Sequence, residues 1–208
     1  MNERDSTFLS RRRYLGAIGA GTVVLAGCLG SEAEETDHDV PVRGDPDADV
    51  TLEVYEDLTC PACKQFHDNV LPELATAYLD PGTIRYEHRD FPFRNDQAWQ
   101  AANAARDVYL EDGEEQFFAY KSELFANQQR LEPDAPAVFG ELATGVDLDG
   151  ERIESAAVDR SHDSILEADK NRGESLSVGG TPGFVLDGEL VEIENSWNEL
   201  FEAIDDAV

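Results

Sequence analysis

Two cysteines three residues apart, Cys60 and Cys63, stand at the junction between a strand-like run and a helix-like run, and that junction most constrains the fold. Before it, Val50-Thr51-Leu52-Glu53-Val54-Tyr55 alternates in the manner of a strand. After it, Phe66, Val70, Leu71, Leu74 and Tyr78 recur at helical spacing. Pro61 suits the first helical position, and Pro72 predicts a kink. Residues 83–89 read as a second strand, so the segment forms a strand, helix, strand unit, parallel and right-handed in its crossover.

The remainder divides into helices and then strands. Residues 96–175 read as helical, starting at Asn95-Asp96 and breaking at Asp112-Gly113. Trp99, Phe117, Phe118, Tyr120 and Phe125 are expected to form the core of this region, with some of them free to rim a groove. Strand signals return at 183–186 and 189–191 around an Asp187-Gly188 hairpin turn. A final helix is expected from Ser196, where Ser196 and Glu199 have capping-box spacing. The fold class is α/β.

A Cys-x-x-Cys that opens a helix places its first sulfur over unsatisfied N–H groups at the positive end of the helix dipole, which favours a thiolate. Cys63, one turn further in, is more shielded, so attack by another thiol is expected at Cys60. The same spacing also serves a stapling disulfide or half a zinc site. His67 follows Cys63 by four positions, and the three residues could line one helix face as a partial soft-metal site, lacking a fourth ligand. No metal is expected on balance. His38, His88 and His162 show no evident partner.

Lowering a cysteine pKa from about 8.5 to about 3.5 requires roughly 7 kcal/mol, whereas a helix terminus supplies about 2 kcal/mol at most. With Pro61 and Ala62 between the cysteines, an intermediate acidity follows unless N–H bonds or His67 add to it.

The N-terminus carries an address. Ser10-Arg11-Arg12-Arg13-Tyr14-Leu15 opens a glycine-rich, weakly apolar stretch that resembles a twin-arginine signal peptide over residues 1–27. Leu25-Ala26-Gly27-Cys28 resembles a lipobox, in which Cys28 would carry the lipid; a buried helix with a chance cysteine is the plainer alternative. Lipidation would remove the odd member of three cysteines and leave one pair in an oxidising compartment. Residues 28–47, acidic and broken by Pro41, Gly44 and Pro46, read as a tether. The chain is therefore expected to be exported and lipid-anchored to the outer face of the cell membrane.

Charge excludes one class of partner. With 45 acidic against 16 basic residues, a net charge of −29, the chain has no electrostatic footprint for nucleic acid. Only Lys64, Lys121 and Lys170 are lysines. This acid-rich, lysine-poor pattern resembles proteins of salt-accumulating haloarchaea, whose molar salt shortens the Debye length to about 3 Å and screens self-repulsion.

The run Gly44-Asp45-Pro46-Asp47-Ala48, then Cys60-Pro61-Ala62-Cys63-Lys64-Gln65-Phe66-His67, Val70-Leu71-Pro72, Arg89-Asp90-Phe91-Pro92, Leu124-Phe125-Ala126-Asn127-Gln128 and Gly180-Thr181-Pro182, resembles the DsbA-like proteins, including the BdbD-type group. That resemblance implies a thioredoxin-like fold with an inserted all-helical domain: first half 48–95, insertion 96–175, second half 176–208. It implies a thiol-disulfide oxidoreductase with Cys60 as nucleophile and Cys63 as resolving thiol. Thr181 and a cis-Pro182 would then border the substrate groove. It implies no cofactor beyond the redox-active pair, cysteine-containing exported proteins as partners and a membrane redox partner. A monomer is expected, and the lack of an added dimerisation segment speaks against a disulfide isomerase. A reductase or isomerase of the same fold, and a copper-binding lipoprotein, remain the rival readings. Two departures stand out. The strongest oxidases of the family often carry a histidine between the cysteines, where this chain has Pro61 and Ala62. Many members carry a buried glutamate six residues before the first cysteine, where this chain has Val54, with Glu53 and Glu56 nearby.

Overall fold

A computed structural model describes residues 38–131 and 136–208. Residues 1–27, expected to be a signal peptide, and Cys28 lie outside the described residues. Five strands form one mixed sheet in the order β1-β3-β2-β4-β5: β1 (Val42–Gly44), β2 (Val50–Glu56), β3 (Ile84–Asp90), β4 (Gly183–Leu186) and β5 (Glu189–Val191). β2 and β3 are parallel in the register Val54↔His88 and Glu56↔Asp90, while β4 runs antiparallel to β2. β4 and β5 form the hairpin expected at Asp187-Gly188, where both residues have positive φ, 48° and 84°.

Between β2 and β3 the chain is helical through α1 (Pro61–Gln65) and α2 (Leu71–Leu74). A π-helical turn, Phe66–Val70, joins them and closes with Leu71 N–H on Phe66 O. The wide turn sits just before Pro72, whose ring would collide with the carbonyl four residues back in a regular helix. The kink expected at that proline is thus a widened turn. The apolar side of this run packs Phe66, Val70, Leu74 and Tyr78 onto Leu52, Val54, Ile84 and Tyr86, and Leu200 and Ile204 of α8 (Asn198–Ala207) join the same cluster.

The insertion lies between β3 and β4 and comprises α3 (Asp96–Asp112), α4 (Glu114–Ala126), α5 (Ala137–Thr144), α6 (Gly150–Asp159) and α7 (Asp163–Ser175). Asn95 caps α3 by accepting the Ala98 N–H at 3.0 Å, and Gly113, at φ 95°, makes the break before α4. Phe117, Tyr120 and Phe125 are buried in a second cluster that also holds Leu58, Cys60 and Cys63. The cysteine pair therefore lies where the insertion meets the sheet unit. Trp99 departs from the expected core: it is half-buried, and the Arg160 guanidinium lies 4.7 Å from its ring centroid.

Two boundaries move. Residues 42–44, read as tether, form β1 and pair antiparallel with β3, and the His88 N–H reaches Pro41 O at 2.9 Å. Without β1, the outer edge of β3 would leave a row of unpaired backbone groups. The last helix begins two residues later than expected. Glu199 accepts the N–H groups of Glu194 and Asn195 instead of closing a box with Ser196 alone, and Ser196 Oγ accepts the Asn198 N–H.

Candidate functional site

Cys60 occupies the N-cap of α1 with extended backbone, φ −81° and ψ 122°, and Pro61 fills the first helical position. Cys60 keeps 5% of its surface exposed and Cys63 none. Both are free thiols in this structure. The Thr181–Pro182 peptide is cis, and the Thr181 carbonyl accepts from Cys60 Sγ at 3.4 Å. The fold thus gathers Cys60, Cys63, Thr181 and Pro182, which are as much as 122 residues apart in sequence.

The two sulfurs differ in their electrostatics. Cys60 is drawn down to about 5, first by the Cys63 thiol that donates to it, with the nearby N–H groups of Cys63 and Ala62 adding, while burial opposes. These donors supply what the helix dipole alone lacks. Cys63 is pushed far up, chiefly by burial, then by its hydrogen bond to Cys60 and by the negative charge of Glu56. A thiolate in this pair therefore resides on Cys60.

Glu56 stands out in the sequence only as a neighbour of Val54. By alternation it lies on the same face as Val54, one pleat closer to the cysteines, and it is wholly buried. Its Oε2 accepts from the Lys121 ammonium and from Tyr86 OH at 3.1 Å, and His88 Nδ1 lies 3.1 Å away. Burial works against the charge. Lys121 and His88 overcome it and hold the carboxyl at about 2. The other oxygen, Oε1, is buried without a hydrogen-bond partner. Glu53 points to the opposite face, where it binds Arg172 and Arg89.

His67 does not assist the thiolate; its ring stacks on Phe125 at 4.9 Å, and burial and Lys121 lower its pKa. Among the described residues, no group of three or more His, Cys, Asp or Glu side chains is placed to hold a metal ion. The histidines without an evident partner in the sequence all have one in the fold: His88 bridges Glu56 and Asp90, His38 contacts Asp169 at 3.1 Å, and His162 contacts Asp107 at 3.0 Å. Asp57 organises the approach to Cys60. One of its oxygens accepts the N–H and hydroxyl of Thr59, and the other accepts the N–H groups of Phe93 and Arg94.

A groove of about 320 Å³ runs beside Pro182, walled by Phe184, Ile193, Asn195 and Trp197. A larger cavity, about 820 Å³, lies on the far face of the sheet among Glu53, Glu87, Arg89 and Arg172, which pair with one another. Only the smaller of these two adjoins the Thr181–Pro182 peptide beside Cys60.

A family model described as Thioredoxin matches residues 36–206. The chain belongs to that family. It is 24% identical over 168 residues to the disulfide bond formation protein D of Bacillus subtilis, covering 79% of this chain and 75% of that one. Among solved structures it resembles oxidised BdbD from Bacillus subtilis, with a TM-score of 0.71 and 24% identity over 80% of this chain and 91% of that one. It also resembles Chlamydia trachomatis DsbA, with a TM-score of 0.70 and 21% identity over 81% and 91%. The thioredoxin-like fold with a helical insertion is therefore shared with these proteins.

Proposed function

We propose that this chain is a thiol-disulfide oxidoreductase of the DsbA type that forms disulfides in exported proteins. The observation that carries this reading is the asymmetry of the pair: Cys60 stands at the N-cap of α1, 3.4 Å from the carbonyl of Thr181 before the cis-Pro182, while Cys63 is wholly buried behind it, and the acidities follow, Cys60 drawn down and Cys63 driven up. In the oxidised form, a substrate thiolate attacks Cys60 Sγ, the Cys60–Cys63 bond breaks, and its electron pair leaves on Cys63, which takes up a proton. A second substrate thiolate then attacks the substrate sulfur of the mixed disulfide and expels Cys60 as its stable thiolate. Two electrons pass from substrate to enzyme, and the product is a substrate disulfide.

Thr181 and Pro182 border the groove as the substrate-binding loop, offering backbone groups to an extended segment, while Pro61 and Ala62 set the spacing of the pair. A membrane redox partner would reoxidise the dithiol, and no cofactor beyond the pair is required. The twin-arginine signal and Cys28 support export and a lipid anchor on the outer face of the membrane. Among the described residues no helix is long and apolar enough to cross a membrane.

The reduced form supports the oxidising direction. A stabilised Cys60 thiolate stabilises the dithiol over the disulfide and makes the pair oxidising. Equilibration with glutathione buffers in molar potassium chloride tests this: a potential near or above about −180 mV supports an oxidase, and one near about −270 mV assigns a reductase. A bond that never exchanges ends the enzymatic reading.

A further inference from the structure

The peptide between Cys60 and Pro61 has no N–H, so its orientation can be held only through the Cys60 carbonyl. That orientation sets ψ of Cys60, and hence where the side chain at the N-cap stands relative to the N–H groups of Ala62 and Cys63. The carbonyl has two partners. One is the Lys64 N–H at 3.1 Å, from the first turn of α1; the other is Gln128 Nε2 at 3.0 Å, from the helical insertion. The same Nε2 also lies 3.0 Å from Leu58 O. Both neighbours are acceptors only, so the atom between them must be the amide nitrogen, with one hydrogen for each.

Gln128 opens the 3₁₀ turn Gln128–Arg130 that follows α4, and Leu131 behind it packs into the cluster that holds Leu58, Cys60 and Cys63. The segment before α1 is therefore gripped from two sides. Asp57 ties it to the loop after β3, and Gln128 ties it to the insertion across about 70 residues of sequence.

We propose that Gln128 is a positioning residue for Cys60: by holding the Leu58 and Cys60 carbonyls it fixes the Cys60 backbone at the N-cap of α1, and with it the place of the sulfur beside Thr181. This rests on the reading of Cys60 as nucleophile. Gln128 acts through the backbone and does not touch the reacting sulfur. The seating of the helical insertion thereby becomes a determinant of thiol acidity.

The test compares wild type with Gln128→Met, which keeps length and removes both donors, and Gln128→Glu, which sets a carboxylate against two carbonyls. Three quantities are read in the reduced and oxidised protein: the thiolate absorbance titration of Cys60, the rate of exchange with glutathione, and thermal stability. Gln128→Met should raise the Cys60 pKa by about half a unit to one unit and slow attack on the disulfide about three- to tenfold, in line with two ordinary hydrogen bonds. Gln128→Glu should shift the pKa further the same way. The inference is overturned if both variants fold and keep wild-type acidity and exchange rate, even with lowered thermal stability, because Gln128 then only packs. If one variant fails to fold, the other decides; should both fail, Gln128→Ala, which leaves space for water to serve the carbonyls, is read in the same way. A wild-type protein that does not exchange at all defeats the reading of Cys60 itself.

Discussion

Two clusters of buried charge flank the same pair of strands, and they are finished differently. In the cluster around Asp169, both carboxylate oxygens are served: Oδ1 by Arg89 at 3.1 Å and His38 at 3.1 Å, Oδ2 by Arg106 at 2.8 Å and the Asp90 N–H at 3.2 Å. In the cluster around Glu56, Lys121 and Tyr86 both donate to Oε2, and Oε1 is buried with no hydrogen-bond partner. A buried charge is costly unless it is matched, so the first arrangement reads as support for the junction of α3, α7 and β3. The second leaves part of its field undirected by hydrogen bonds, and Cys63 feels it. One cluster holds the fold together, while the other biases which sulfur carries charge.

The largest expected effect comes from Asp169→Ala, which leaves two buried guanidiniums short of a partner. It should cost about 3–5 kcal/mol by urea denaturation and leave the Cys60 titration nearly unmoved. A potential that shifts along with stability would erase the distinction between the clusters. Glu56→Gln comes next. It strands Lys121 at a loss of up to about 3 kcal/mol, and Glu56→Gln with Lys121→Met should recover most of that. Unlike the first substitution, it should lower the Cys63 pKa, measured in a Cys60→Ala background; an unchanged value would mean Glu56 is structural too.

Acidity offers a third way to separate the regions. Glu56 is held below its ordinary 4.5, at about 2, so its contribution is complete above about pH 4.5 and is lost as pH falls toward 2. Asp90 is also depressed, by Arg106 and His88 against burial, and adds a loss in the same direction. Both redox forms should share this acid limb. Cys60 is depressed from 9.0 to about 5 in the dithiol alone, so stability of the reduced form over the oxidised should grow as pH rises from about 5 to about 9. Urea titrations of both forms across that range check it, and parallel curves would contradict a thiolate at Cys60. The smallest effect is expected from Lys64→Ala. Its exposed i,i+4 pair with Asp68 is worth about 0.3–0.5 kcal/mol, and its loss should leave the potential where it was.

The strands, the helical insertion and the sulfur pair are legible in the sequence because they depend on local periodicity and on one spacing. The Glu56 cluster is less so. Strand alternation puts Glu56 on the inner face, yet nothing local to β2 says that a lysine 65 residues later will cover it. A signal does exist at the other end: Lys121 lies four residues from both Phe117 and Phe125, on the buried stripe of α4, where a lone cation needs an anion. β1 escapes a sequence reading because Pro41, Pro46 and a run of acids mask Val40 and Val42, whose burial is decided by the open edge of β3. Gln128 stands out only as part of a recurring string, since the carbonyls it serves belong to a distant loop.

β1 also limits reach. With residues 42–44 fixed to the sheet, His38 held by Asp169 and the Asp39 carbonyl by Arg106, and with lipid on Cys28 as proposed, the distance from the lipid to the domain is bridged by residues 29–37, nine residues that can span no more than about 32 Å. A domain of this size is itself about 40 Å across. An anchor at Cys28 would therefore hold the domain within less than its own width of the membrane.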